Sequence, residues 1–536
     1  MKSILYNLAL LLGLLLLSVS CKDALLYGPD PYSGGKEGPE IRFSDELPSP
    51  SQGRAGTKMI FKVRGAELYK DRLQFLVNGL EATVQEVTDS SLTAILPAYV
   101  STGGTSLVVD GQIYMGPICR IIGKLQLDPT FNAGTGTNAS IYCIKQLANK
   151  QVFIGGFFTD YNGNGASSRI NGIARITENG SFVRGMSFGS GVIGGSVVNI
   201  HELNDGNLLL SGNILNYDSV KLVSNIVKIS RSGALLREAV NILNITDDPS
   251  KSTLRVPVFN GGTSLGISKT FVHNNTVTAI GGFNAYVDRY YLRSTYDNIL
   301  TGFFTVGSIV RMHMDGSLDE SFNINKEVVP KLAEMGFQGY LFDGSVQADG
   351  KLVLVGMFNR YNDKPVAGNI LRLNTDGSQD ASFQVGSGAN NIITKLVASR
   401  DKEKYYLTGT FTSFNNIPNS GLLRMLKDGT PDPTFKNLGF SGGSPDFIYE
   451  LSNGLLLVTG SFKKYNGVIR EGLCILNAEG ELVDAYNNTG KLDGVVFDAL
   501  EGKNSLGQAT LTLVGNIAHF DGKSNIGNIM RLTIMD

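Results

Sequence analysis

The sequence has no tryptophan and almost no net charge. Its 47 Lys and Arg residues nearly balance 48 Asp and Glu residues, so no overall field attracts the chain to nucleic acid or to an anionic lipid surface. The lack of tryptophan also counts against a platform that stacks sugar rings, although 20 Tyr and 27 Phe residues remain for such contacts. Nucleic acid is therefore not an expected partner.

Cysteine is scarce, with four residues in a chain of 536. Cys119, Cys143 and Cys474 are widely spaced, odd in number and without a C-x-x-C pair, which argues against a disulfide framework and against a metal site. We expect these three side chains to be buried as small apolar groups. No cofactor is predicted.

The sequence also lacks the motifs of common catalytic classes. Its four histidines are isolated, and it contains no H-E-x-x-H, no nucleophile elbow and no P-loop. The Asp-Gly-x-x-Asp segments lack the closing Glu and the alternating acids of a calcium loop, so we expect hairpin turns there, with Asp accepting local backbone hydrogen bonds. The chain is expected not to be an enzyme.

The N-terminus is predicted to be a signal peptide covering residues 1–20. A basic start is followed by an apolar run at 8–17, which is too short to remain as a membrane span, and by small residues that lead to Cys21. This pattern resembles a bacterial lipoprotein signal, although Ser18 stands where such signals usually have Leu. The resemblance implies that Cys21 becomes the first mature residue and carries acyl chains that anchor it stably in a membrane. An ordinary cleaved signal with an unrelated Cys is the alternative.

Residues 21–40 are rich in Gly and Pro and predict a flexible tether. The Lys22-Asp23 pair directly after Cys21 resembles the surface-export signal of lipoproteins from the Bacteroides group. We therefore expect an outer-membrane protein, anchored through lipid and facing the cell exterior.

Residues 41–117 predict a small β-sandwich. Apolar strands at 59–63, 73–77 and 82–87 are separated by Gly-containing turns, and Asn78-Gly79 predicts a hairpin that joins the last two. The order of glycines and strands resembles an immunoglobulin-like IPT/TIG domain. Such domains usually serve as spacers or interaction modules.

The region 118–536 consists of repeats. In each unit an apolar strand runs into Gly, a second residue, and then Phe or Ile, and an aromatic ring follows three or four places later. The seven occurrences begin at Gly155, Gly212, Gly281, Gly356, Gly409, Gly460 and Gly515. Units of this kind cannot bury their apolar surface singly, which is typical of a β-propeller.

Two further motifs accompany each anchor: a strand that often contains Arg, and an Asp-x-x-Phe segment after a Gly turn. We expect the Arg to pair with a carboxylate or with carbonyl groups of the fold. The last unit lacks its own Asp-x-x-Phe segment, and residues 127–131 before the first unit supply one. The motifs are similar to the delta-60 repeat family. The prediction is an all-β chain whose seven-bladed propeller is closed by its N-terminal strand.

Two stretches depart from the repeat, at about 236–264 and 287–305. Insertions of a propeller lie in loops on one face, where binding is common, and Tyr and Arg are frequent at binding hot spots. The second stretch contains our candidate contact residues for a ligand or partner: Arg289, Tyr290, Tyr291, Arg293, Tyr296, Phe303 and Phe304. The alternative is that the insertion packs on its own unit and buries these rings.

A surface lipoprotein with this domain order resembles the accessory lipoproteins of SusCD-like nutrient importers. The resemblance implies a non-catalytic subunit that captures a glycan or an oligopeptide, or that docks on a TonB-dependent barrel and its SusD-like lipoprotein. A propeller-type glycosidase or lyase stays open as an alternative, because carboxylates paired across units leave no local motif. A purely structural scaffold is a third possibility.

Overall fold

The computed structural model describes residues 40–325 and 332–535. The predicted signal peptide, Cys21 and all but the last residue of the predicted tether lie outside this part of the chain. The described residues confirm the all-β class, and their only α-helix is α1 (Gly165–Ser168). None of their helices has the length and apolar character to cross a membrane. Four short 3-10 turns occur at Glu67–Tyr69, Pro249–Ser252, Tyr291–Arg293 and Asp484–Tyr486.

Residues 40–121 form two β-sheets around a common core. The strands are β1 (Arg42–Phe43), β2 (Gln52–Gly53), β3 (Lys58–Arg64), β4 (Leu73–Val77), β5 (Leu80–Glu81), β6 (Thr83–Val87), β7 (Ser91–Ile95), β8 (Gly103–Val109) and β9 (Gln112–Ile121). The sheet orders are β1-β3-β7-β6 and β2-β9-β8-β4-β5. Alternate side chains of each strand point inward, so that Met59, Phe61, Phe75 and Leu107 are fully buried.

Two details of this domain differ from the sequence prediction. Asn78 and Gly79 do form a hairpin turn, both with positive φ, but the strand that pairs with β4 across this turn is only the short β5, and the other neighbour of β4 is β8. The predicted partner, residues 82–87, was wrong because the chain leaves β4 after the buried Ala82, and β6 then pairs with β7 of the other sheet. The predicted domain boundary at 117 falls inside β9, whose last residue, Ile121, still packs in this core.

The repeat region consists of seven sheets, each with a three-stranded antiparallel core, within the described residues. We call them units 1 to 7 in chain order. The strands are β11 (Ile141–Gln146), β12 (Val152–Gly156) and β13 (Ile173–Ile176); β14 (Ser196–Glu202), β15 (Leu208–Asn213) and β16 (Ile226–Ile229); β19 (Ile267–His273), β20 (Thr276–Gly281) and β23 (Ile309–His313); β26 (Phe337–Val346), β27 (Leu352–Tyr361) and β29 (Ile370–Leu373); β30 (Ile393–Ala398), β31 (Lys404–Gly409) and β34 (Leu422–Leu426); β36 (Pro445–Glu450), β37 (Leu456–Gly460) and β40 (Leu473–Leu476); β41 (Leu492–Lys503), β42 (Ala509–Phe520) and β44 (Ile529–Ile534).

The remaining strands form short pairs at the margins of the units or insertions between them. They are β10 (Leu125–Leu127), β17 (Arg237–Asn241), β18 (Thr253–Pro257), β21 (Ala285–Arg289), β22 (Thr301–Thr305), β24 (Ile324–Asn325), β25 (Leu332–Ala333), β28 (Lys364–Pro365), β32 (Ser413–Phe414), β33 (Ile417–Pro418), β35 (Phe440–Ser441), β38 (Lys464–Tyr465), β39 (Val468–Ile469) and β43 (Lys523–Ser524).

The units are arranged in a circle. The first strand of each unit packs against the unit before it, and β11 of unit 1 packs against β41 and β42 of unit 7. In units 1 to 6 the third strand is extended outward by an isolated bridge, such as Leu373 to Gln379. In unit 7 the same place is taken by β10, which pairs with β44. The predicted pairing of the N-terminal segment with the last unit is thus confirmed.

A β-bulge at the same place in all seven first strands explains the anchor glycine. Each bulge lies opposite that glycine, as at Leu341 and Asp343 opposite Gly356. A Cβ atom on Gly356 would overlap the carbonyl oxygen of Tyr340, and the equivalent carbonyl crowds the other six glycines. In unit 1 the register places Gly156 at this position. The predicted anchor Gly155 was therefore wrong by one residue, and Phe158 is the buried ring.

The repeated Arg binds a carboxylate, as predicted, and also a neighbouring unit. Arg372 donates from Nε to Asp380 Oδ2 (2.7 Å) and from an Nη atom to the carbonyl of Lys427 in unit 5 (2.8 Å). Its guanidinium lies 4.6 Å from the centre of the Phe383 ring. Equivalent contacts are made by Arg311, Arg424 and Arg531. Each Arg therefore holds its own outer segment and the turn of the next unit.

The predicted turns and buried thiols are also confirmed. Asp376 Oδ1 accepts hydrogen bonds from the backbone N–H and the hydroxyl of Ser378, and Asp315 and Asp428 do the same in their turns. The tyrosine after the anchor completes this turn, since Tyr361 donates to the carbonyl of Gly377. The free cysteines of the described residues are buried: Cys119, Cys143 and Cys474.

The N-terminal domain is fastened to units 6 and 7. The buried guanidinium of Arg470 donates to the carbonyl of Tyr99 (2.9 Å). The Asn488 amide donates to the carbonyl of Ile121 (3.4 Å), and its backbone carbonyl accepts from the N–H of Thr102 (2.9 Å). These hydrogen bonds are shielded from water, and they fix the domain on the edge of the ring.

Candidate functional site

Two inserted hairpins lie side by side on unit 3. One is β17–β18 and the other is β21–β22, and they correspond to the two stretches that depart from the repeat. Ile242 and Val256 of the first hairpin pack against Tyr291 of the second, with Leu254 and Ile299 beside them. The insertions therefore share a small core, against which Leu222 of unit 2 also packs.

A pocket of about 470 Å³ lies between these hairpins and the turn that follows β23. We call it the hairpin pocket. Its wall combines apolar rings and aliphatic groups with carboxylates and hydroxyls. The residues that line it are Glu238, Val240, Val258, Asn260, Tyr286, Asp288, Tyr290, Tyr291, Phe304, Asp315, Ser317, Leu318, Glu320 and Ile324.

The structure distributes the seven predicted contact residues unevenly. Tyr290, Tyr291 and Phe304 line the hairpin pocket. The other four, Arg289, Arg293, Tyr296 and Phe303, lie outside its wall, and all of these except Arg289 are exposed. Ligand or partner contact by the seven stays a prediction, although the pocket gives three of them a common surface.

Arg289 has a different environment from the one expected of a surface contact. It is 8% exposed, and one of its Nη atoms donates to the Val223 carbonyl (3.2 Å) and to the Ser224 hydroxyl (3.0 Å) of unit 2. Burial lowers the pKa of its guanidinium. The side chain therefore ties the second hairpin to the ring, and its charge lies behind the pocket wall.

Tyr291 carries an unused hydrogen-bonding group at the pocket. The residue is 8% exposed, and its hydroxyl has no hydrogen-bond partner in the described part of the chain. Burial raises the pKa of Tyr291 to about 12, so the hydroxyl stays protonated and can donate. Buried polar groups without a partner are rare in folded proteins and often mark the place of a ligand or ion. By contrast, Tyr286 in the same wall donates to Gly316 (2.8 Å), as the repeat requires.

Asp288 faces the pocket from β21 in a partly dehydrated position. Burial raises the pKa of its carboxyl, and a hydrogen bond with the Tyr290 hydroxyl opposes that shift. Gly302 of the paired strand lies directly beneath, where a Cβ atom would overlap both the Asp288 carboxylate and the Tyr290 hydroxyl. The glycine thus makes room for this pair of side chains.

Sequence reasoning missed three carboxylates of the wall, on Glu238, Asp315 and Glu320. Glu238 lies in the first irregular stretch, where no residue was singled out, and Asp315 was assigned only to a turn. Asp315 does make that turn through Oδ1, which accepts from Ser317. No local pattern reveals that these residues border one pocket, because the two hairpins and the turn meet only in the fold.

A second group of carboxylates lies where the first strands of the units face one another. Asp343 of unit 4 is buried and forms ion pairs with Lys269 of unit 3 and Lys395 of unit 5. Its Oδ2 also accepts the Leu396 N–H (3.1 Å). Lys395 reaches across to the Phe497 carbonyl of unit 7 (3.4 Å). Within the described residues, no group of three or more His, Cys, Asp or Glu side chains could hold a metal ion.

Asp446 of unit 6 is expected to reduce stability at neutral pH. Burial raises its pKa to about 6, and the Thr459 hydroxyl and the Lys395 charge only partly offset this. Because the folded pKa exceeds the unfolded value, the folded state binds the proton more tightly, and stability falls as pH rises from about 4 to about 6. Asp446→Asn should therefore raise the free energy of unfolding by about 1–3 kcal/mol at pH 7 and leave it nearly unchanged near pH 4. Urea unfolding at the two pH values tests this, and equal gains at both would contradict it.

One family of known repeats matches two parts of the ring. The model for a domain of unknown function, DUF5122 beta-propeller, matches residues 347–383 and 404–435. Each match spans the second and third strands of one unit and ends at the Phe that contacts the repeated Arg. The repeat region is a β-propeller. The matched stretches carry the anchor glycine, the Arg and the Asp-x-x-Phe segment, which are the features that shape each propeller unit.

Solved structures resemble the chain at low identity. An auxiliary nutrient binding protein from Bacteroides thetaiotaomicron is 10% identical, with 92% of this chain and 98% of that chain covered and a TM-score of 0.31. One of the same description from Bacteroides ovatus is 12% identical, with the same coverages and a TM-score of 0.27. The Cps50 (Swd1) beta-propeller domain of Myceliophteria thermophila is 11% identical, covering 77% and 100%, with a TM-score of 0.35. No functionally curated protein matches the sequence. Such similarities are too low to transfer an activity.

Proposed function

We propose that this protein is a non-catalytic binding protein of the cell surface and that its hairpin pocket holds the ligand. The observation that best supports this proposal is the buried Tyr291 hydroxyl. It has no hydrogen-bond partner among the described residues, and Tyr291 lies in a pocket wall built by two insertions. A concave site with apolar walls and a few convergent polar groups is the usual form of a binding site. The repeat needs neither the first hairpin nor the part of the second hairpin that follows Tyr286, so packing of the propeller does not account for these insertions.

The proposed architecture is a seven-bladed propeller carried by an IPT/TIG-like spacer. The circular packing of the seven sheets and the β10–β44 closure support seven blades. Two sheets around one core support an immunoglobulin-like spacer. We further propose that Cys21 is lipidated and anchors the protein in the outer membrane, facing outward, on the strength of the residue pattern at 1–23.

The proposed partners are a TonB-dependent barrel and a SusD-like lipoprotein of a nutrient importer, and the proposed ligand is a short glycan or oligopeptide. This gives the chain the kind of role that is named for the two Bacteroides structures, but the proposal rests on the pocket. For the alternative of a glycosidase or lyase, the relevant groups are the carboxylates around the propeller axis. Both oxygens of Asp498 accept backbone N–H groups, from Ala499 and Ile144, which supports a structural role for that side chain.

Affinity purification of the full-length protein from outer membranes tests the proposed role. We expect a barrel transporter and a second lipoprotein to co-purify with the native chain. A Cys21→Ala variant should be lost from the membrane fraction. Deleting residues 287–305 separates docking from ligand capture, because only docking through this hairpin predicts loss of the transporter. Recovery of the native protein in the soluble fraction, without any transporter, would contradict the proposal.

A further inference from the structure

We propose that the hairpin pocket takes a cationic oligopeptide and binds it through an ammonium or guanidinium group. This inference rests on the proposed binding function and narrows its ligand to one class. It is carried by the charges, the aromatic rings and the uncommitted polar groups of the pocket wall, taken together.

The wall brings together three carboxylates from separate segments: Glu238 from β17, Asp288 from β21 and Asp315 from the turn after β23. Glu320 also borders the pocket but already has an interaction partner, so it is not counted here. None of the described residues that line the pocket is Lys, Arg or His. The Arg289 guanidinium lies behind the wall and donates to Val223 and Ser224, and its charge only partly offsets the effect of burial on the pKa of Asp288. The pocket therefore offers negative charge that its own lining does not neutralise, and a cation would supply the missing partner.

Aromatic faces line the same pocket. Tyr290, Tyr291 and Phe304 present rings that attract a cation positioned over them. Val240 and Leu318 provide apolar surface for the methylene stem that carries a Lys or Arg head group. The Tyr291 hydroxyl, buried and without a partner, can accept from an ammonium group or donate to a peptide carbonyl.

The hydrogen-bonding groups of the wall favour a ligand that donates. The Asn260 side chain is committed, since its amide donates to the Arg289 carbonyl (2.9 Å) and its oxygen accepts the Arg289 N–H (3.2 Å). The Tyr286 hydroxyl is used by Gly316, and the Ser317 hydroxyl by Asp315. The capacity that remains is largely carboxylate oxygen, which only accepts. A neutral sugar needs donors as well as acceptors, whereas an ammonium or guanidinium group needs acceptors alone.

Calorimetric titration with tetralysine tests this proposal. Tetralysine should bind, fully Nε-acetylated tetralysine should bind about tenfold more weakly or worse, and maltotetraose should not bind. Added salt should weaken tetralysine binding, because the pocket is open to solvent and its charges are screened. Glu238→Gln and Asp288→Asn should each weaken binding about tenfold. Asp247→Asn is the matched control. Asp247 lies on the same hairpin as Glu238 but outside the pocket wall, so this variant should leave the affinity for tetralysine unchanged.

A pair of Tyr→Phe variants distinguishes a loss of binding from a loss of stability, because affinity and melting temperature should change differently in the two. Tyr291→Phe removes an unpaired hydroxyl, so it should weaken tetralysine binding while the melting temperature stays equal or rises. Tyr217→Phe removes the equivalent bond to Gly233 in unit 2, outside the pocket wall, and should lower the melting temperature while binding persists. Binding of maltotetraose that the carboxylate variants leave intact would overturn the cationic ligand and leave the binding function standing. If tetralysine does not bind while the transporter still co-purifies, the cationic ligand is refuted and the proposed role at the transporter stands.

Discussion

Asp343→Ala is expected to lower the free energy of unfolding by about 3 kcal/mol, because it leaves two ammonium groups without their counter-ion inside the ring. The Asp343 side chain is 3% exposed, and those of Lys269 and Lys395, which pair with it, are each 29% exposed. Because both lysines are partly exposed, water can solvate their charges in the variant. The expected loss in the free energy of unfolding is therefore at the low end of the range for a broken buried ion pair.

Asp498 is a natural control for Asp343. The two residues occupy the same position after the bulge, and each accepts its neighbour's N–H and one N–H of the following unit. No lysine forms an ion pair with Asp498 among the described residues, and burial raises the pKa of its carboxyl. Asp498→Ala loses the two N–H hydrogen bonds but no ion pair, so it should cost about 1–2 kcal/mol, less than Asp343→Ala. Equal losses from the two variants would contradict a dominant role for the ion pairs.

The pH dependence of stability gives the Asp343 prediction a second readout. Burial opposes ionisation of Asp343, but the charges of Lys269 and Lys395 outweigh it and hold the pKa below the usual value. A lowered carboxyl pKa contributes stability above the unfolded value near 4, and this stability is lost as pH falls through the folded pKa. In urea unfolding, the difference between wild type and Asp343→Ala should be largest near pH 7 and shrink below about pH 4.

Arg531→Ala is expected to open the ring at its closure as well as to lower stability. Arg531 donates to Asp128 Oδ2 (2.7 Å), and both side chains are almost fully buried. It also donates to the Glu178 carbonyl (2.6 Å) of unit 1 and to the Thr130 hydroxyl (3.0 Å). Removing the guanidinium leaves the Asp128 carboxylate buried and unpaired, which costs about 3–5 kcal/mol.

Arg372→Ala is the matched control for the closure. Arg372 makes the same set of contacts, but its carboxylate, Asp380, lies only eight residues away in the same unit. Arg372→Ala should lose less global stability than Arg531→Ala, because Lys351 still pairs with Asp380 (2.8 Å). Only Arg531→Ala should increase amide hydrogen exchange in β10 and β44, because these strands join the two ends of the propeller. Exchange that rises equally in both strands for the Arg372 variant would count against a special role for the closing pair.

Much of the propeller can be predicted from sequence because each unit repeats the same local constraints. The Gly356 anchor, the Arg372–Asp380 pair and the Asp376 turn all show as residue patterns, and each has a direct structural cause. The misplaced first anchor shows where this fails. Residues 155–158 read Gly-Gly-Phe-Phe, which satisfies the pattern in two registers. Only the position of the bulge opposite Gly156 selects one of them.

The candidate site is harder to predict from the sequence because its two insertions cannot be compared with equivalent residues in other units. Composition pointed to the stretch 287–305, yet it could not separate the exposed Tyr290 from Tyr291, which is buried against the first hairpin. Composition also could not predict that Arg289 forms hydrogen bonds with the ring, since its partners Val223 and Ser224 are more than sixty residues away in the chain. Contacts between the insertions of successive units leave no periodic pattern in the sequence, so they cannot be predicted from it.

The pairing of β10 with β44 has a consequence for how the chain reaches its native state. The two strands are separated by about four hundred residues, and such high contact order slows folding. During synthesis, unit 7 stays incomplete along one edge, and the ring stays open, until the final strand leaves the ribosome. The early units therefore keep an exposed flank until synthesis ends, and such unpaired apolar surface makes an incompletely synthesised chain prone to aggregation.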